Sequence, residues 1–276
     1  MSVAVVVVLA VAGVVIYASR DKLRMLKPRP RMPPTHSGLG LGTPSPRPPV
    51  QAPAGQVRTE HLRDYIKHLE QDTQRGLEEE FEQVMQCSAQ HPAATAVKDL
   101  NKVKNRFRNI LPFDHSRVIL PLLEGEPCSD YINANHITNT RERQRFVACQ
   151  GPTNGTVRDF WRLVWQVGTG VVVMLTNLRE RGRARCALYW PTLEEPIVAV
   201  GDLTVTRCGE AGFAGGLLVR EFVLQRGTNQ RKIRQYHLTT WPDFGVPSHE
   251  HHLLDFISEV RSFVFPESGP LVVHCR

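Results

Sequence analysis

The sequence has few cysteines, and no two of them are close enough to form a paired motif. The six cysteines of the 276-residue chain are at positions 87, 128, 149, 186, 208 and 275. Because none belongs to a C-x-x-C pair, the sequence indicates neither a structural zinc site nor a disulfide framework. Reduced thiols in a cytosolic setting are the simpler interpretation.

The metalloprotease motif H-E-x-x-H is also missing, although one segment comes close to it. The run His249-Glu250-His251-His252 is followed by Leu253, where the motif requires its second histidine. Without two histidines four residues apart on one helix face, a solvated first helical turn is favoured over a metal site. No internal repeat is visible, so a repeat architecture is not indicated.

Length and composition are those of one folded domain with additional segments. The apolar fraction of 41% suits a globular core, and 276 residues exceed the usual size of a single domain. The formal net charge is +7 and the isoelectric point is near 9.3. This charge indicates an acidic partner, which from charge alone is phospholipid, nucleic acid, or a phosphorylated or acidic protein.

The N-terminal segment is apolar, and its flanking charge is one-sided. Residues 2–18 are apolar or small, and six basic residues follow between Arg20 and Arg31, whereas none precedes the run. The length is at the short end of the roughly 17–25 residues that span a bilayer. A cleaved signal peptide is the alternative, but positive charge stays cytoplasmic, which favours a transmembrane helix over residues 1–19. The predicted location is therefore a single-pass membrane protein with its C-terminal part in the cytoplasm.

Residues 20–58 are predicted to be a juxtamembrane linker that is first basic and then proline-rich. Nine prolines lie between positions 28 and 53, and they oppose both helix and sheet. The basic residues could bind anionic lipid headgroups, so that residues 1–31 contact the membrane, or they could be a simple stop-transfer flank. Residues 44–49 could dock in an SH3-type groove or act as a plain spacer.

The rest of the chain alternates between helical and strand patterns. Thr59, Thr156 and Ser248 are placed to cap helices with apolar stripes. The predicted strands are 118–122, 131–137, 145–149, 171–175, 203–207, 217–224 and 233–238, with a further apolar run at 271–273. The fold class is therefore α/β (α+β), with a highly twisted mixed sheet flanked by helices on both sides.

The last predicted strand leads directly into His274-Cys275. A cysteine at the tip of a buried strand is well placed to be a nucleophile, provided that a phosphate- or acyl-binding loop follows it. Taken without context, a free cysteine is more often a small buried apolar residue. The dipeptide alone therefore leaves both interpretations open.

A series of short motifs occurs in order along the chain and supplies that context. The motifs are Lys104-Asn105-Arg106-Phe107-Arg108-Asn109-Ile110, Asp114-His115-Ser116-Arg117-Val118, Asp130-Tyr131-Ile132-Asn133-Ala134-Asn135, Gln150-Gly151-Pro152, Asp159-Phe160-Trp161, Trp165, Tyr189-Trp190-Pro191, Trp241-Pro242-Asp243 and His274-Cys275. The series closely resembles the protein-tyrosine phosphatases, specifically the membrane-proximal catalytic domain of the receptor-type members. By this resemblance residues 59–276 form a tyrosine-phosphatase domain.

The resemblance implies a role for four residues. Cys275 matches the thiolate nucleophile, and Asp243 matches the general acid that protonates the leaving phenolate. Phe107 matches the aromatic residue, usually tyrosine in the family, that stacks on the substrate ring, and Asn109 matches the residue that hydrogen-bonds the substrate backbone. The implied partners are phosphotyrosine proteins rather than nucleic acid, and no cofactor or metal is expected.

The sequence departs from the family pattern after Cys275. The family continues as C-x-x-G-x-x-R-[ST]-G, whereas this chain reads Cys275-Arg276. That loop and its arginine lower the cysteine pKa and bind the phosphoryl group. We therefore expect the domain to be incomplete and the chain as given to be inactive. The alternatives to an enzyme are a membrane-anchored non-catalytic regulatory or interaction protein and an unstable truncated isoform.

Overall fold

The computed structural model describes residues 57–87, 91–138, 145–242, 250–264 and 268–276. The chain divides into two compact units, of which one contains the described residues up to 87 and the other those from His91 onward. The predicted transmembrane helix and the linker up to residue 56 lie outside the described residues. Among the helices that are described, none combines the length and the apolar character needed to cross a membrane.

The first unit is a pair of helices, α1 at Leu62–Leu69 and α2 at Gln71–Cys87. A single 3₁₀ turn at Thr59–His61 precedes α1, so His61 occupies the N-cap position that the sequence assigned to Thr59. No side chain caps this helix. Within the pair, Arg75 and Glu79 form an i,i+4 ion pair with a separation of 2.8 Å.

The described residues of the second unit form a nine-stranded sheet, a separate two-stranded hairpin and three α-helices. The strands are β1 Arg117–Ile119, β2 Tyr131–Thr138, β3 Arg145–Cys149, β4 Val171–Met174, β5 Arg179–Glu180, β6 Arg183–Ala184, β7 Ile197–Val200, β8 Leu203–Phe213, β9 Leu217–Arg226, β10 Asn229–Leu238 and β11 Leu271–His274. The helices are α3 Asp99–Lys102, α4 Val157–Val167 and α5 Glu250–Ser262. The sheet order is β1-β2-β3-β11-β4-β10-β9-β8-β7, and β5 pairs only with β6.

The centre of the sheet is parallel and its flanks are antiparallel. β11 pairs in parallel with β3 on one side and with β4 on the other, and β4 pairs in parallel with β10. The prediction of a mixed sheet is therefore confirmed. Because the four central strands run in one direction, the segments that follow Cys149, Met174, Leu238 and His274 all leave from the same edge.

Helices cover both faces of the central strands, as the sequence predicted. On one face α4 packs Phe160, Trp161 and Val164 against a core that includes Val172 and Val272. On the other face α5 packs against alternate residues of the same strands; this core includes Val171, Val173, Phe256, Ile257, Val260, Leu271 and Val273. Both faces of these strands are apolar, which explains the continuous apolar runs at 171–174 and 271–273.

Strands β8, β9 and β10 are longer than their sequence patterns predicted, and the difference is largest for β8. β8 was expected to end at Arg207 and instead continues to Phe213, paired with β9 throughout. The register shifts between Arg207 and Gly209, which marks a β-bulge. A bulge breaks the two-residue alternation of inward and outward side chains, so the sequence beyond it no longer shows the pattern of a strand.

Ser248, the expected cap of α5, lies outside the described residues.

The stability of this fold should depend strongly on Trp161. Its side chain is fully buried, and Nε1 donates to the carbonyl oxygen of Tyr189 at 2.7 Å. Trp161→Phe keeps an aromatic ring and leaves that buried carbonyl without its donor, which costs about 1–3 kcal/mol in the free energy of unfolding. Denaturant unfolding of the variant measures this loss. Trp165→Phe, at a partly exposed position of the same helix, is the matched control and should lose less.

Candidate active site

Cys275 lies at the carboxyl edge of the central strands, directly after β11. Its neighbours at this edge are the segments that follow β3, β4 and β10, beginning at Gln150, Leu175 and Thr239. In open sheets of this kind, ligands bind in the crevice outside the carboxyl ends of the strands. The Cys275 side chain is buried, with 7% of the residue exposed. The fold therefore brings several loops together around one buried thiol.

Gly151 is in direct contact with the backbone of Cys275. A Cβ atom at Gly151 would overlap the carbonyl oxygen of Cys275 and would lie 3.2 Å from Sγ of Cys186 and 3.4 Å from Cα of Arg276. Only a residue without a side chain allows this approach. The Gln150-Gly151-Pro152 motif thus has a steric reason for its glycine.

Arg106 and Gln150 connect this contact to the segment that carries Phe107. The backbone N–H of Arg106 donates to Oε1 of Gln150 at 2.9 Å, and Nε2 of Gln150 donates to the carbonyl of Lys104 at 2.7 Å. The guanidinium of Arg106 donates to the carbonyls of Gly151 at 2.9 Å and Pro152 at 2.8 Å. Residues 104–106 are therefore fixed beside the loop that contacts Cys275.

A second set of hydrogen bonds closes the same segment onto strand β2. The hydroxyl of Tyr131 donates to Oδ1 of Asn105 at 2.5 Å. Nδ2 of Asn133 donates to Asn105 at 3.0 Å and to the carbonyl of Ile110 at 2.8 Å. Between these anchors lie the predicted substrate residues Phe107, which is half-buried, and Asn109, which is exposed.

The predicted general acid Asp243 lies outside the described residues, but the backbone that leads to it is well fixed. Thr239 donates to the carbonyl of Gly216 through its N–H at 2.9 Å and through its hydroxyl at 2.8 Å. Nδ2 of Asn177 donates to the carbonyl of Thr239 at 2.9 Å. Trp241 then packs against the α5 side of the core. The described part of this segment ends at Pro242.

The Cys275 thiol is neutral at physiological pH. Burial raises its pKa to about 11, and the carboxylate of Glu180 adds to the rise, while the Arg276 backbone and Arg106 oppose it. Burial likewise raises the pKa of the neighbouring Cys186 to about 12. The arrangement therefore supplies a placed but protonated sulfur, and a reaction at this sulfur requires further stabilisation of the thiolate.

Several residues that build this site were present in the sequence motifs but received no role there, and Cys186 was noted only as one of the six cysteines. The motif residues are Arg106, Gln150, Gly151, Tyr189 and His274. For His274 the available signal was polarity at a position that the strand pattern would fill with an apolar residue, and the structure buries this side chain completely in β11. A buried polar side chain needs a partner, and only the folded chain shows which one.

Comparison with known proteins relates the chain to the tyrosine phosphatases. Residues 101–276 match the family model described as protein-tyrosine phosphatase. Over 225 residues the chain is 42% identical to the human receptor-type tyrosine-protein phosphatase alpha, covering 78% of this chain and 27% of that protein. It is 40% identical over 225 residues to the human receptor-type tyrosine-protein phosphatase H, covering 80% of this chain and 20% of that protein.

A relative from an insect shows the same pattern. The chain is 39% identical over 214 residues to the tyrosine-protein phosphatase Lar of Drosophila melanogaster, covering 77% of this chain and 10% of that protein. The chain therefore spans only between a tenth and about a quarter of the length of these three relatives.

Gly151→Ala should displace the Cys275 loop. The added methyl group would overlap a backbone atom rather than a movable side chain, so the two segments must separate. We expect a loss of about 1–3 kcal/mol in the free energy of unfolding, as for other overpacked sites. Denaturant unfolding measures the loss. Gly155→Ala is the control, because a methyl group there meets nothing closer than 4.0 Å; an unchanged Gly151→Ala variant would contradict the contact.

Cys275 should react slowly with iodoacetamide at neutral pH. With a pKa of about 11, roughly one Cys275 in ten thousand is a thiolate at pH 7, and this fraction rises about tenfold per pH unit up to the pKa. Mass spectrometry of peptides alkylated between pH 7 and pH 10 measures the rate. The exposed Cys208 is the internal comparison and should be alkylated first. Rapid Cys275 alkylation at pH 7 would refute a protonated thiol.

Proposed function

The chain belongs to the protein-tyrosine phosphatase family, and we propose that its domain carries the residues of a receptor-type enzyme that hydrolyses phosphotyrosine in proteins. The observation that carries the proposal is the position of Cys275, which follows the central parallel strand β11 and contacts Gly151. Arg106 links this contact to the turn that bears Phe107. A nucleophile and a substrate-binding segment are thereby supported by the same loop.

The proposed reaction proceeds through a cysteinyl-phosphate intermediate. The Cys275 thiolate attacks phosphorus, a sulfur–phosphorus bond forms, and the bond from phosphorus to the tyrosine oxygen breaks. Asp243 donates its proton to the leaving phenolate, so that the product leaves as neutral tyrosine. Water then cleaves the sulfur–phosphorus bond, which releases inorganic phosphate and regenerates the thiolate. The bond-making and bond-breaking steps use only thiol, carboxyl and water, so the proposal includes no cofactor.

Phe107 and Asn109 are proposed to select and orient the substrate. A phenyl ring presents the same stacking face to a phosphotyrosine ring as the tyrosine that is usual in the family, without its hydroxyl. Phe107 is half-buried and Asn109 is exposed. These exposures suit a ring that forms one wall of a pocket and an amide that hydrogen-bonds a bound peptide. A pocket with such a wall favours phosphotyrosine over the shorter phosphoserine.

The protonated state of Cys275 supports a second candidate, a non-catalytic regulatory or interaction protein. A thiol with a pKa of about 11 is a weak nucleophile at neutral pH. Phosphatase activity of this family requires groups that stabilise the thiolate and the transferring phosphoryl group. Where those groups do not act on Cys275, Phe107 and Asn109 would still be available to contact a peptide without turnover.

A membrane location is part of the proposal. The apolar residues 2–18, followed by basic residues, support a single-pass anchor with the phosphatase domain in the cytoplasm. Residues 1–31 would also contact anionic lipid, and residues 44–49 offer a ligand of the SH3-binding type. The two human relatives named above are receptor-type phosphatases, which is consistent with this arrangement.

A chimera tests the assigned roles. The residues that follow the equivalent cysteine in the human receptor-type tyrosine-protein phosphatase alpha are joined after Cys275, and hydrolysis of phosphotyrosine and phosphoserine peptides is measured. Cys275→Ser should abolish turnover and keep peptide binding. Asp243→Ala should lower kcat by a factor on the order of 10² to 10⁴ with little change in binding. Phe107→Ala should weaken phosphotyrosine binding by about 1–2 kcal/mol.

Matched variants control for nonspecific effects in the chimera. Cys208→Ser and Asp255→Ala make the same chemical changes at exposed positions and should leave kcat unchanged. A chimera that prefers phosphoserine, or an Asp243→Ala variant with full kcat, would show that the assigned roles are wrong. Phosphotyrosine binding without turnover by the 276-residue chain would support the non-catalytic candidate.

A further inference from the structure

A continuous set of polar side chains is buried inside the sheet behind Cys275. Arg220 on β9, Gln235 on β10 and His274 on β11 are exposed by 6%, 1% and 0%, and Tyr189, from the segment after β6, by 4%. Burying polar groups is costly unless each is hydrogen-bonded. These four are therefore expected to satisfy one another, and their contacts form one continuous path, although Gln235 and Tyr189 each also contact Sδ of Met174, at 3.7 Å and 3.9 Å.

The path runs from Arg220 to the backbone of Cys275. Nη1 of Arg220 lies 2.8 Å from Oε1 of Gln235, and Nε2 of Gln235 contacts the hydroxyl of Tyr189. The same hydroxyl lies 2.8 Å from Nε2 of His274. On the other side of the imidazole, Nδ1 lies 3.0 Å from the carbonyl oxygen of Cys275.

The two ends of the path fix the direction of every hydrogen bond in it. A guanidinium can only donate, so Gln235 must turn its oxygen toward Arg220 and its NH₂ group toward Tyr189. The Tyr189 oxygen accepts that hydrogen bond, and its own proton is directed to Nε2 of His274. At the far end a carbonyl oxygen can only accept, so Nδ1 of His274 must carry the imidazole proton.

A neutral His274 ring fits the donor at the Arg220 end of the path and the acceptor at the Cys275 end. Burial lowers the pKa of His274 to about 4, so the ring holds a single proton near neutral pH. If that proton were on Nε2, the lone pair of Nδ1 would face the lone pairs of the Cys275 carbonyl oxygen, and the Tyr189 proton would turn from an imidazole nitrogen to the weaker acceptor Sδ of Met174, 3.9 Å away. The Nδ1–H tautomer is the arrangement that satisfies all the groups.

The donor end is held in place by three further contacts. Nη1 of Arg220 also lies 3.2 Å from Nδ1 of His237, whose Nε2 lies 2.7 Å from the carbonyl oxygen of Thr176. The guanidinium stacks on the ring of Trp190 at 4.5 Å and forms an ion pair with Glu210. Arg220 therefore cannot rotate away from Gln235 without losing a charge partner and an aromatic contact.

We infer that Arg220 and Gln235 are positioning residues, which act through Tyr189 to set the tautomer of His274 and so hold the carbonyl oxygen of Cys275. That oxygen is also the atom against which Gly151 packs. It is thereby fixed from two sides, by a hydrogen bond from His274 and by the steric limit of Gly151. The relevance to phosphate-ester chemistry rests on the proposed role of Cys275 as nucleophile.

The tautomer of His274 can be measured directly. Long-range ¹H–¹⁵N correlation spectra of the 276-residue chain, labelled with ¹⁵N-histidine, distinguish protonated from unprotonated ring nitrogens. The signals of His274 are those that disappear in His274→Gln. Near neutral pH we expect Nδ1 protonated and Nε2 unprotonated. A protonated Nε2 in the unmodified protein would overturn the inference and requires no other variant to fold.

Gln235→Glu reverses the polarity of the path without changing its shape. A carboxylate accepts from both Arg220 and Tyr189, so the tyrosine proton turns away from His274 and Nε2 then faces an acceptor. We expect loss of the unprotonated Nε2 signal of His274. Gln230→Glu makes the same change at an exposed position of the same strand and should leave the signal unchanged. An unaltered signal in a folded Gln235→Glu protein would overturn the inference.

A pair of substitutions at Arg220 tests the donor end separately. Arg220→Met removes the donor, so the Gln235 amide loses the partner that orients it, and the His274 signals should shift. Arg220→Lys keeps a cation that can donate to Gln235 and should restore the tautomer of the unmodified protein. If Arg220 had a purely structural role, both variants would shift the His274 signals in the same way. An unshifted Arg220→Met spectrum would contradict the inference.

The two proposals fail in different experiments. If the His274 tautomer is as inferred but the chimera does not hydrolyse phosphotyrosine, the proposed function is wrong and the positioning path remains. If the chimera is active but His274 carries its proton on Nε2, the enzyme assignment remains and the path is wrong.

Discussion

The hydrogen bond between His274 and the carbonyl oxygen of Cys275 joins the interior of the sheet to its carboxyl edge. On the inner side it depends on Tyr189, which is placed by Trp161 on helix α4 through the bond to the Tyr189 carbonyl. On the outer side the same oxygen limits how closely Gly151 can approach. The position of the thiol therefore depends on how α4 packs on the sheet and on the burial of the central strands.

The sequence alone was sufficient for the strands whose side chains follow a simple apolar pattern. The runs at 171–174 and 271–273 are apolar on both faces, because α4 and α5 cover opposite sides of the sheet. It was not sufficient for β8, where a bulge interrupts the alternation, or for the start of α1, where a 3₁₀ turn replaces a side-chain cap. In both places backbone geometry rather than composition decides the outcome.

The candidate site, too, contains features that the sequence predicted and features that only the folded structure shows. The apolar run before Cys275 placed this cysteine at a strand tip, because the pattern of one strand is local in the sequence. The partners of Arg106, 44 to 46 residues away in sequence, and of Gln235, 46 residues from Tyr189, follow only from the tertiary fold. Polar residues within a strand pattern indicate that a partner exists, and they do not indicate which residue it is.

The buried path from Arg220 to Cys275 contains one charged group, the guanidinium of Arg220, whose charge is balanced by Glu210. This explains why the donors and acceptors of the path keep their order near neutral pH. Arg220 stays charged because Glu210 pairs with it and Trp190 stacks on it. Burial and then the nearby Arg220 charge lower the pKa of His237 to about 4, and burial lowers that of His274 to a similar value. Both imidazoles are therefore neutral above roughly pH 5, and in a neutral imidazole one ring nitrogen donates a hydrogen bond and the other accepts one. Protonation of His274 below that pH would place a second proton on Nε2 against the Tyr189 hydroxyl, so acid should disturb the hydrogen bond between His274 and Tyr189, while Nδ1–H keeps its bond to the Cys275 carbonyl.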